Sequence, residues 1–365
     1  MKKYNIAILG ATGAVGLRMR KQLEKSFIPV KNLKLLATKK SVGKKQTFRG
    51  KTFTVEEAKP EAFSKIDLVL SSAGGSVSKK LLPEAVRRGA VCVDNTSYFR
   101  MNDHVPLVVP EVNSGVLTNH KGIISDPNCS TIQMVVALKP IFDKLGLKQI
   151  IVSSYQAASG AGQKGSNELR EQSLAYLKQK DINKKIFPTK SDKKHYQLAF
   201  NLLPQIDVFE KNGYTHEEWK MVHETKKIFF NDVNSDKIKV TATSVRVPIF
   251  ISHGESIYFQ TKSNSVVSVD EMKKMISKGS GLILKDNDDE QIYPQPLEAQ
   301  GKRETLVGRI RQDVENPGAY WMWVVSDNLL KGAAWNAVEI AEELVKNNLV
   351  FISNPEKSYE LFKGK

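Results

Sequence analysis

The run Asp126-Pro127-Asn128-Cys129-Ser130-Thr131 places a thiol at a change of pattern. A short apolar stretch, Gly122-Ile123-Ile124-Ser125, gives way to Ile132, Val135, Val136 and Leu138 at helical spacing. A cysteine at a helix start sits among unpaired backbone N–H groups and the positive end of the helix dipole. Both favour the thiolate, the nucleophilic form. The chain has only two cysteines, so Cys129 is a candidate nucleophile. The plain alternative is packing, because free cysteine commonly behaves as a small buried hydrophobe. Cys92, inside Ala90-Val91-Cys92-Val93, fits that alternative and is read as core.

A second feature gives the thiol a chemistry. Asn5-Ile6-Ala7-Ile8-Leu9 reads as a buried strand, followed by Gly10-Ala11-Thr12-Gly13-Ala14-Val15-Gly16. Val15, Met19 and Leu23 then fall four apart on one helix face. Glycines between a strand and a helix let backbone N–H groups approach a pyrophosphate at the helix N-terminus. Gly10, Thr12, Gly13, Ala14, Val15 and Gly16 are therefore candidate dinucleotide contacts. The second strand, Leu33 to Ala37, ends in Thr38-Lys39-Lys40-Ser41, without the acid that commonly holds a ribose 2′-hydroxyl. Hydroxyls and lysines there suit a 2′-phosphate, so Thr38, Lys40 and Ser41 point to NADP over NAD. Ser72-Ala73-Gly74, after a third strand, is the next loop at the same sheet edge. A thiolate beside a nicotinamide can attack an aldehyde and pass through a thioester after hydride transfer. That reaction needs an acid/base, usually histidine, and spacing alone does not choose among six histidines.

The elements that must hold these groups alternate. Strands at Leu33–Ala37, Asp67–Ser71 and Ala90–Val93, with a helix through Leu81, Leu82, Ala85 and Val86, predict a Rossmann-type doubly wound parallel sheet over residues 1–130. After Cys129 the strands lengthen and alternate: Ile150–Tyr155, Lys239–Val247 and Ser256–Gln260. They predict an α+β domain with a mixed sheet over 131–329. The stripe Leu330, Ala334, Val338, Ala341, Leu344 and Val345 predicts a C-terminal helix, within 330–365, that returns to the first domain.

Composition narrows the classes. A chain of 365 residues suggests two domains. The formal charge of +16 raises nucleic-acid binding, but the lysines are spread and interleaved with acids, which reads as a solvated surface. No signal peptide, membrane span, paired metal-ligand spacing or serine-hydrolase elbow is read, so a cytoplasmic, metal-free, non-membrane protein is expected.

Longer motifs then carry a resemblance. Gly10-Ala-Thr-Gly-Ala-Val-Gly16, Val93-Asp-Asn-Thr-Ser-Tyr-Phe-Arg100, Pro127-Asn-Cys-Ser-Thr131, Tyr155-Gln-Ala-Ala-Ser-Gly-Ala-Gly162, Glu217-Glu-Trp-Lys-Met221, Val245-Arg-Val-Pro248, His253-Gly-Glu-Ser256 and Trp323-Val-Val-Ser-Asp-Asn-Leu-Leu-Lys-Gly332 resemble the aspartate-semialdehyde dehydrogenase family, in order and over nearly the whole chain. The resemblance implies that Cys129 is the thioester nucleophile, His253 the acid/base and Gln156 an orienting amide. It implies that Arg246 binds the substrate carboxylate and Glu217 the amino group. Arg100, Asn128 and Lys220 match phosphate-binding positions, and Ser159, Gly160 and Asn328 match cofactor contacts. The implied reaction is NADP-dependent reductive dephosphorylation of L-aspartyl 4-phosphate to the semialdehyde, releasing inorganic phosphate, on the route to lysine (through diaminopimelate), threonine and methionine. A homodimer is implied. The alternatives are another acyl-phosphate reductase of this fold, such as N-acetylglutamyl-phosphate reductase, and a non-catalytic nucleotide- or nucleic-acid-binding regulator. Asp126, three residues before Cys129, is unexpected, because an inward-facing anion would oppose the thiolate; alternation along a strand predicts that it faces away.

Overall fold

Leucine-, isoleucine- and valine-rich runs too short for helices form the first sheet. Tyr4–Leu9 (β1) is buried at all but one position, as a strand covered on both faces must be. The computed structural model describes residues 2–262 and 266–363. The chain divides into two compact units, Met1–Pro127 with Ala333–Lys365, and Asn128–Gly332.

In the first unit, β1 leads to Ala14–Lys25 (α1), then Val30–Ala37 (β2), Lys45–Phe48 (β3) and Lys51–Glu57 (β4). Leu68–Ser71 (β5), Gly75–Arg87 (α2), Val91–Asp94 (β6), the single turn Pro110–Asn113 (α3) and Ile123–Ser125 (β7) follow. The sheet order is β3-β4-β2-β1-β5-β6-β7, all parallel except the β3–β4 hairpin. Because β1 pairs with β2 on one side and β5 on the other, chain direction switches beside β1. In an open α/β sheet that is where a dinucleotide binds, outside the strands' carboxyl ends. The hairpin is an addition to the sequence reading. Its strands are lysine- and threonine-rich with one buried residue each, Phe48 and Val55. They are polar edge strands and carry almost no apolar signal.

The second unit begins with Cys129–Leu145 (α4), Leu147–Gln156 (β8), Gly162–Leu177 (α5) and His216–Phe230 (α6). Lys239–Arg246 (β9), His253–Thr261 (β10), Val269–Ser277 (α7), Leu282–Leu284 (β11), Pro296–Ala299 (α8), Thr305–Gln312 (β12) and Ala319–Ser326 (β13) complete it. The sheet order is β11-β12-β13-β10-β8-β9. It is mixed: β8 pairs β9 in parallel, while β10 runs antiparallel to both β8 and β13. One face packs on α4 through Met134, Leu138, Ile141, Val152, Ile257 and Phe259, and on the other face Trp321 and Trp323 are half-buried. Central β10 therefore lies under α4, and that contact brings distant side chains together.

After β13 the backbone makes one wide π turn, Leu330–Ala334, before Trp335–Lys346 (α9) and Pro355–Phe362 (α10). Within the first unit α9 packs against α1, β5 and β6, and α10 against α2. The predicted stripe thus starts in a π turn, an element wider than the α-helix and often found near functional sites.

Candidate active site

Cys129 is the first residue of α4 and Asn128 its N-cap. The Asn128 side chain does not cap the helix. Its Nδ2 donates to Glu217 Oε1 at 2.7 Å, and its Oδ1 accepts from the Cys129 thiol at 3.2 Å. The Asn128 backbone N–H donates to Glu224 Oε2 at 2.6 Å. Both carboxylates come from α6, seven residues apart and so on one helix face. A capping box, Thr215 with Glu218, fixes where α6 starts, and Glu218 also accepts the Ser244 N–H from edge strand β9. The helix start, the edge strand and the neighbour of Cys129 are thereby held by one short segment.

His253 opens β10 and is fully buried. Its Nε2 lies 3.2 Å from Cys129 Sγ, and its Nδ1 accepts the Ala157 N–H at 3.0 Å. Ser252 just before it has φ +76°, a left-handed conformation rare for serine. The Asn328 Oδ1 holds it there by accepting the Ser252 N–H at 2.9 Å. Burial and then the Arg246 charge push the imidazole down to about 3, so the ring is neutral at ordinary pH.

Gln156 ends β8, buried, and its Nε2 donates to Ser130 Oγ at 2.7 Å and Glu217 Oε1 at 3.0 Å. Lys220, one turn along α6, reaches Asp207 at 2.8 Å and Glu217 at 3.2 Å. Burial would raise the Glu217 carboxyl. The Lys220 charge, the Asn128 and Gln156 amides and Arg246 outweigh it and hold the group at about 2. Arg246 ends β9, paired through its backbone with Leu203 on the far side. It is buried, and its Nη1 donates to the Ala157 carbonyl at 2.7 Å while its Nε has no acceptor among the described residues. A buried guanidinium with a donor to spare is suited to a planar anion. Gly160 lies against that guanidinium, and Ser159 exchanges hydrogen bonds with the Asn328 side chain. Cys129, His253, Gln156, Arg246, Glu217, Asn128 and Lys220 are thus brought together within the second unit.

The remaining candidates belong to the first unit. Gly10, Thr12, Gly13, Thr38, Ser72 and Ala73 line one cavity of about 180 Å³ at the carboxyl ends of β1 and β5. Ala14 and Val15 form the first turn of α1, whose N-cap Gly13 supplies no side-chain cap, and Gly74 caps α2. A Cβ on Gly16 would fall 2.2 Å from the Gly10 carbonyl, so helix and turn meet only through glycine. Ser72 Oγ is buried with no partner among the described residues. Those features fit a nicotinamide dinucleotide: a helix N-terminus, close backbone approach and a spare polar group. Thr38 caps a 3-10 turn that carries Lys40 and Ser41, and Ser41 meets the Thr12 hydroxyl at 3.2 Å. Arg100 is buried and donates to the Asp126 and Asn95 carbonyls at 2.9 and 3.1 Å. The Asp126 carboxylate accepts from Asn336 of α9 at 2.6 Å. Cys92 is fully buried among apolar side chains, and burial pushes its thiol up.

Sequence comparison decides the family. A semialdehyde dehydrogenase NAD-binding domain profile matches residues 5–120, and a semialdehyde dehydrogenase dimerisation domain profile matches 138–331. The aspartate-semialdehyde dehydrogenase of Bacillus subtilis is 51% identical over 346 residues, spanning 95% of this chain and 99% of that protein. That of Aquifex aeolicus is 48% identical, with 95% and 99% covered. The chain belongs to the aspartate-semialdehyde dehydrogenase family. Aspartate-semialdehyde dehydrogenase II of Vibrio cholerae superposes with a TM-score of 0.88 at 43% identity, covering 95% of this chain and 99% of that one, and a second structure of it holds ASA. A Candida albicans relative solved with NADP superposes at 0.74 with 26% identity, covering 95% and 100%.

Within this family member several site residues escaped the sequence reading. Glu224 is legible in retrospect, because Glu217, Lys220 and Glu224 fall at i, i+3 and i+7 of one helix. Asp207, at the end of a stretch that shares the family resemblance, and Ser252 were given no role, since their roles depend on loops that fold back. Gly332 is another. A Cβ there would fall 2.6 Å from Cys129 Cβ, so only glycine lets the chain pass Cys129.

Proposed function

We propose that this chain reduces L-aspartyl 4-phosphate to L-aspartate 4-semialdehyde with NADPH, through a thioester on Cys129. The observation that carries the reading is the 3.2 Å approach of Cys129 Sγ to His253 Nε2, beside the buried Arg246 and the ionised Glu217. Sulfur adds to the acyl carbon, phosphate leaves with the bonding pair and takes up the thiol proton as hydrogen phosphate, and a thioester remains. The chemistry a nicotinamide would supply here, when bound, is the hydride for that carbonyl carbon. His253 passes its Nε2 proton to the resulting oxygen and regains one from solvent; collapse of the thiohemiacetal, with its hydroxyl proton passing to sulfur, returns the thiol and frees the aldehyde. Arg246 pairs with the substrate carboxylate through its spare donors, Glu217 with the ammonium group, and Gln156 orients the acyl group. Arg100, Asn128 and Lys220 hold the phosphate. An ionised Glu217 favours a free amine over an acetylated one, which argues against N-acetylglutamyl phosphate.

Thr38, Lys40 and Ser41 take the 2′-phosphate, and Gly10, Thr12, Gly13, Ala14, Val15, Gly16, Ser72, Ala73, Gly74, Ser159, Gly160 and Asn328 the rest of NADP. The enzyme acts as a homodimer in the cytoplasm; among the described residues no helix is long and apolar enough to cross a membrane. One assay tests the reading. With semialdehyde, phosphate and NADP, the full chain makes NADPH, whereas Cys129→Ala loses about 10⁴-fold or more, the scale of a lost nucleophile. NAD supports a much slower rate. Robust turnover by Cys129→Ala overturns the thioester, and equal turnover with NAD overturns the cofactor assignment.

A further inference from the structure

Glu255 is fully buried in the second unit and takes no part in the chemistry above. It stands two residues after His253 on β10, hence on the same face of the sheet. Gln133, also buried, stands four residues after Cys129 on α4, hence on the same face of that helix. The two elements meet in two layers. The upper one is the 3.2 Å contact of Cys129 with His253. In the lower one the Gln133 amide is the polar neighbour of the Glu255 carboxyl. Neither Glu255 oxygen, nor the Gln133 Nε2, reaches a partner at full hydrogen-bond geometry among the described residues.

The geometry points to Glu255 as a positioning residue that pairs with Gln133 and sets the approach of α4 to β10 beneath Cys129 and His253. A neutral carboxyl and a primary amide are complementary, O–H to amide oxygen and amide N–H to carboxyl oxygen. A carboxylate has no donor for the amide oxygen. The surroundings favour the neutral form. Directly opposite Glu255 are Ser154 on β8 and Val324 on β13, and the Ser154 hydroxyl donates to Ser244. The charged group that acts on it is Glu217 on α6, and the titratable His253 shares its face of β10. Burial raises the Glu255 carboxyl well above its ordinary value; it outweighs the Gln133 amide, which pulls the other way, and Glu217 adds a smaller upward push. Two carboxyls of one site are thereby driven apart, Glu217 charged and Glu255 neutral. A second anion beneath His253 would favour the imidazolium, and a neutral acid there spares the ring that change.

The inference rests on the catalytic reading of Cys129 and His253 only for its kinetic arm; the other two arms are independent of activity. Infrared spectra of the full chain at neutral pH are expected to show a neutral carboxylic acid band that Glu255→Gln removes. An acid kept neutral in the fold but ionised in the unfolded chain costs stability as pH rises above the unfolded value. The Tm of Glu255→Gln should therefore exceed that of the wild type by a margin that widens between about pH 5 and pH 8. Glu255→Gln keeps kcat within about threefold, since an amide preserves shape and pairing, whereas Glu255→Leu lowers kcat about tenfold or more with KM little changed. An unchanged band, a Tm margin that shrinks with pH, or a loss of about a hundredfold in Glu255→Gln overturns the proposal, and none of these needs Glu255→Leu to fold.

Discussion

The two units build their sites from different materials. In the first, the cradle is backbone: Gly10, Gly13 and Gly16 at a strand-to-helix turn, with a helix N-terminus and one buried serine hydroxyl. In the second, the site is side chains: a thiol, an imidazole, a guanidinium, an amide and a paired carboxylate, all from different elements. A backbone site depends on where residues are small. A side-chain site depends on charges being matched out of water, which is costly if one partner is missing. The first tolerates changes in chemistry and fails on added volume; the second fails on a lost charge as well.

Glu217→Gln is the strongest way to sharpen that contrast. The change removes almost no volume but leaves Arg246 and Lys220 without their shared anion. A loss of about a hundredfold or more in kcat/KM is expected, the scale of breaking a buried ionic cluster. Its pH signature is fixed in sign. Glu217 is held at about 2, below its ordinary value, so its stabilisation is present above the unfolded value and fades as pH falls toward 2. The Tm gap between wild type and Glu217→Gln should be widest near neutrality and close in acid. A gap independent of pH would mean that the carboxylate is not the group that matters.

Volume is the matching test, applied to both sites. Gly332→Ala sets a methyl 2.6 Å from Cys129 Cβ, and Gly16→Ala sets one 2.2 Å from the Gly10 carbonyl. The first should displace the nucleophile, lowering kcat about ten- to a hundredfold and slowing alkylation of the Cys129 thiol. The second should raise the KM for the nicotinamide cofactor about tenfold and cost about 1–3 kcal/mol of stability, with thiol alkylation unchanged. If both variants slowed alkylation alike, the two sites would not be separable in this way.

The contrast also explains what was legible in the sequence. The glycine turn, Cys129 at its helix start and the alternating strands β8 to β10 are local patterns, and a window of residues contains them. His253 was not selected by spacing, because it meets Cys129 only where β10 passes beneath α4. Family resemblance, not periodicity, singled it out, as it did Arg246 and Gln156. Glu217 and Lys220 read locally as a surface ion pair three apart on a helix, yet Glu217 is buried. The helix pattern tells which residues share a face and leaves open what covers that face. The β3–β4 hairpin was invisible for the opposite reason, since it buries too little to leave a pattern. Asp126 looked like a liability beside a thiolate, and its carboxylate is committed to Asn336, 210 residues away in sequence.

The smallest expected effect concerns the other cysteine. Cys92 and Cys129 carry the same atom in opposite surroundings: Cys92 in a strand packed among leucines and valines, Cys129 at a helix start between an amide oxygen and an imidazole. Burial pushes the Cys92 thiol up, so it is held protonated and unreactive. Cys92→Ala should leave kcat and KM within about twofold and lower stability by about 1–2 kcal/mol, the cost of a small cavity in a packed sheet. Under native conditions an alkylating reagent should label one thiol per chain, in wild type and Cys92→Ala alike, and none in Cys129→Ala. Labelling of Cys92 in the folded chain would show that its strand opens on the time scale of the reaction. The contrast between the two thiols would then be one of access rather than of electrostatics.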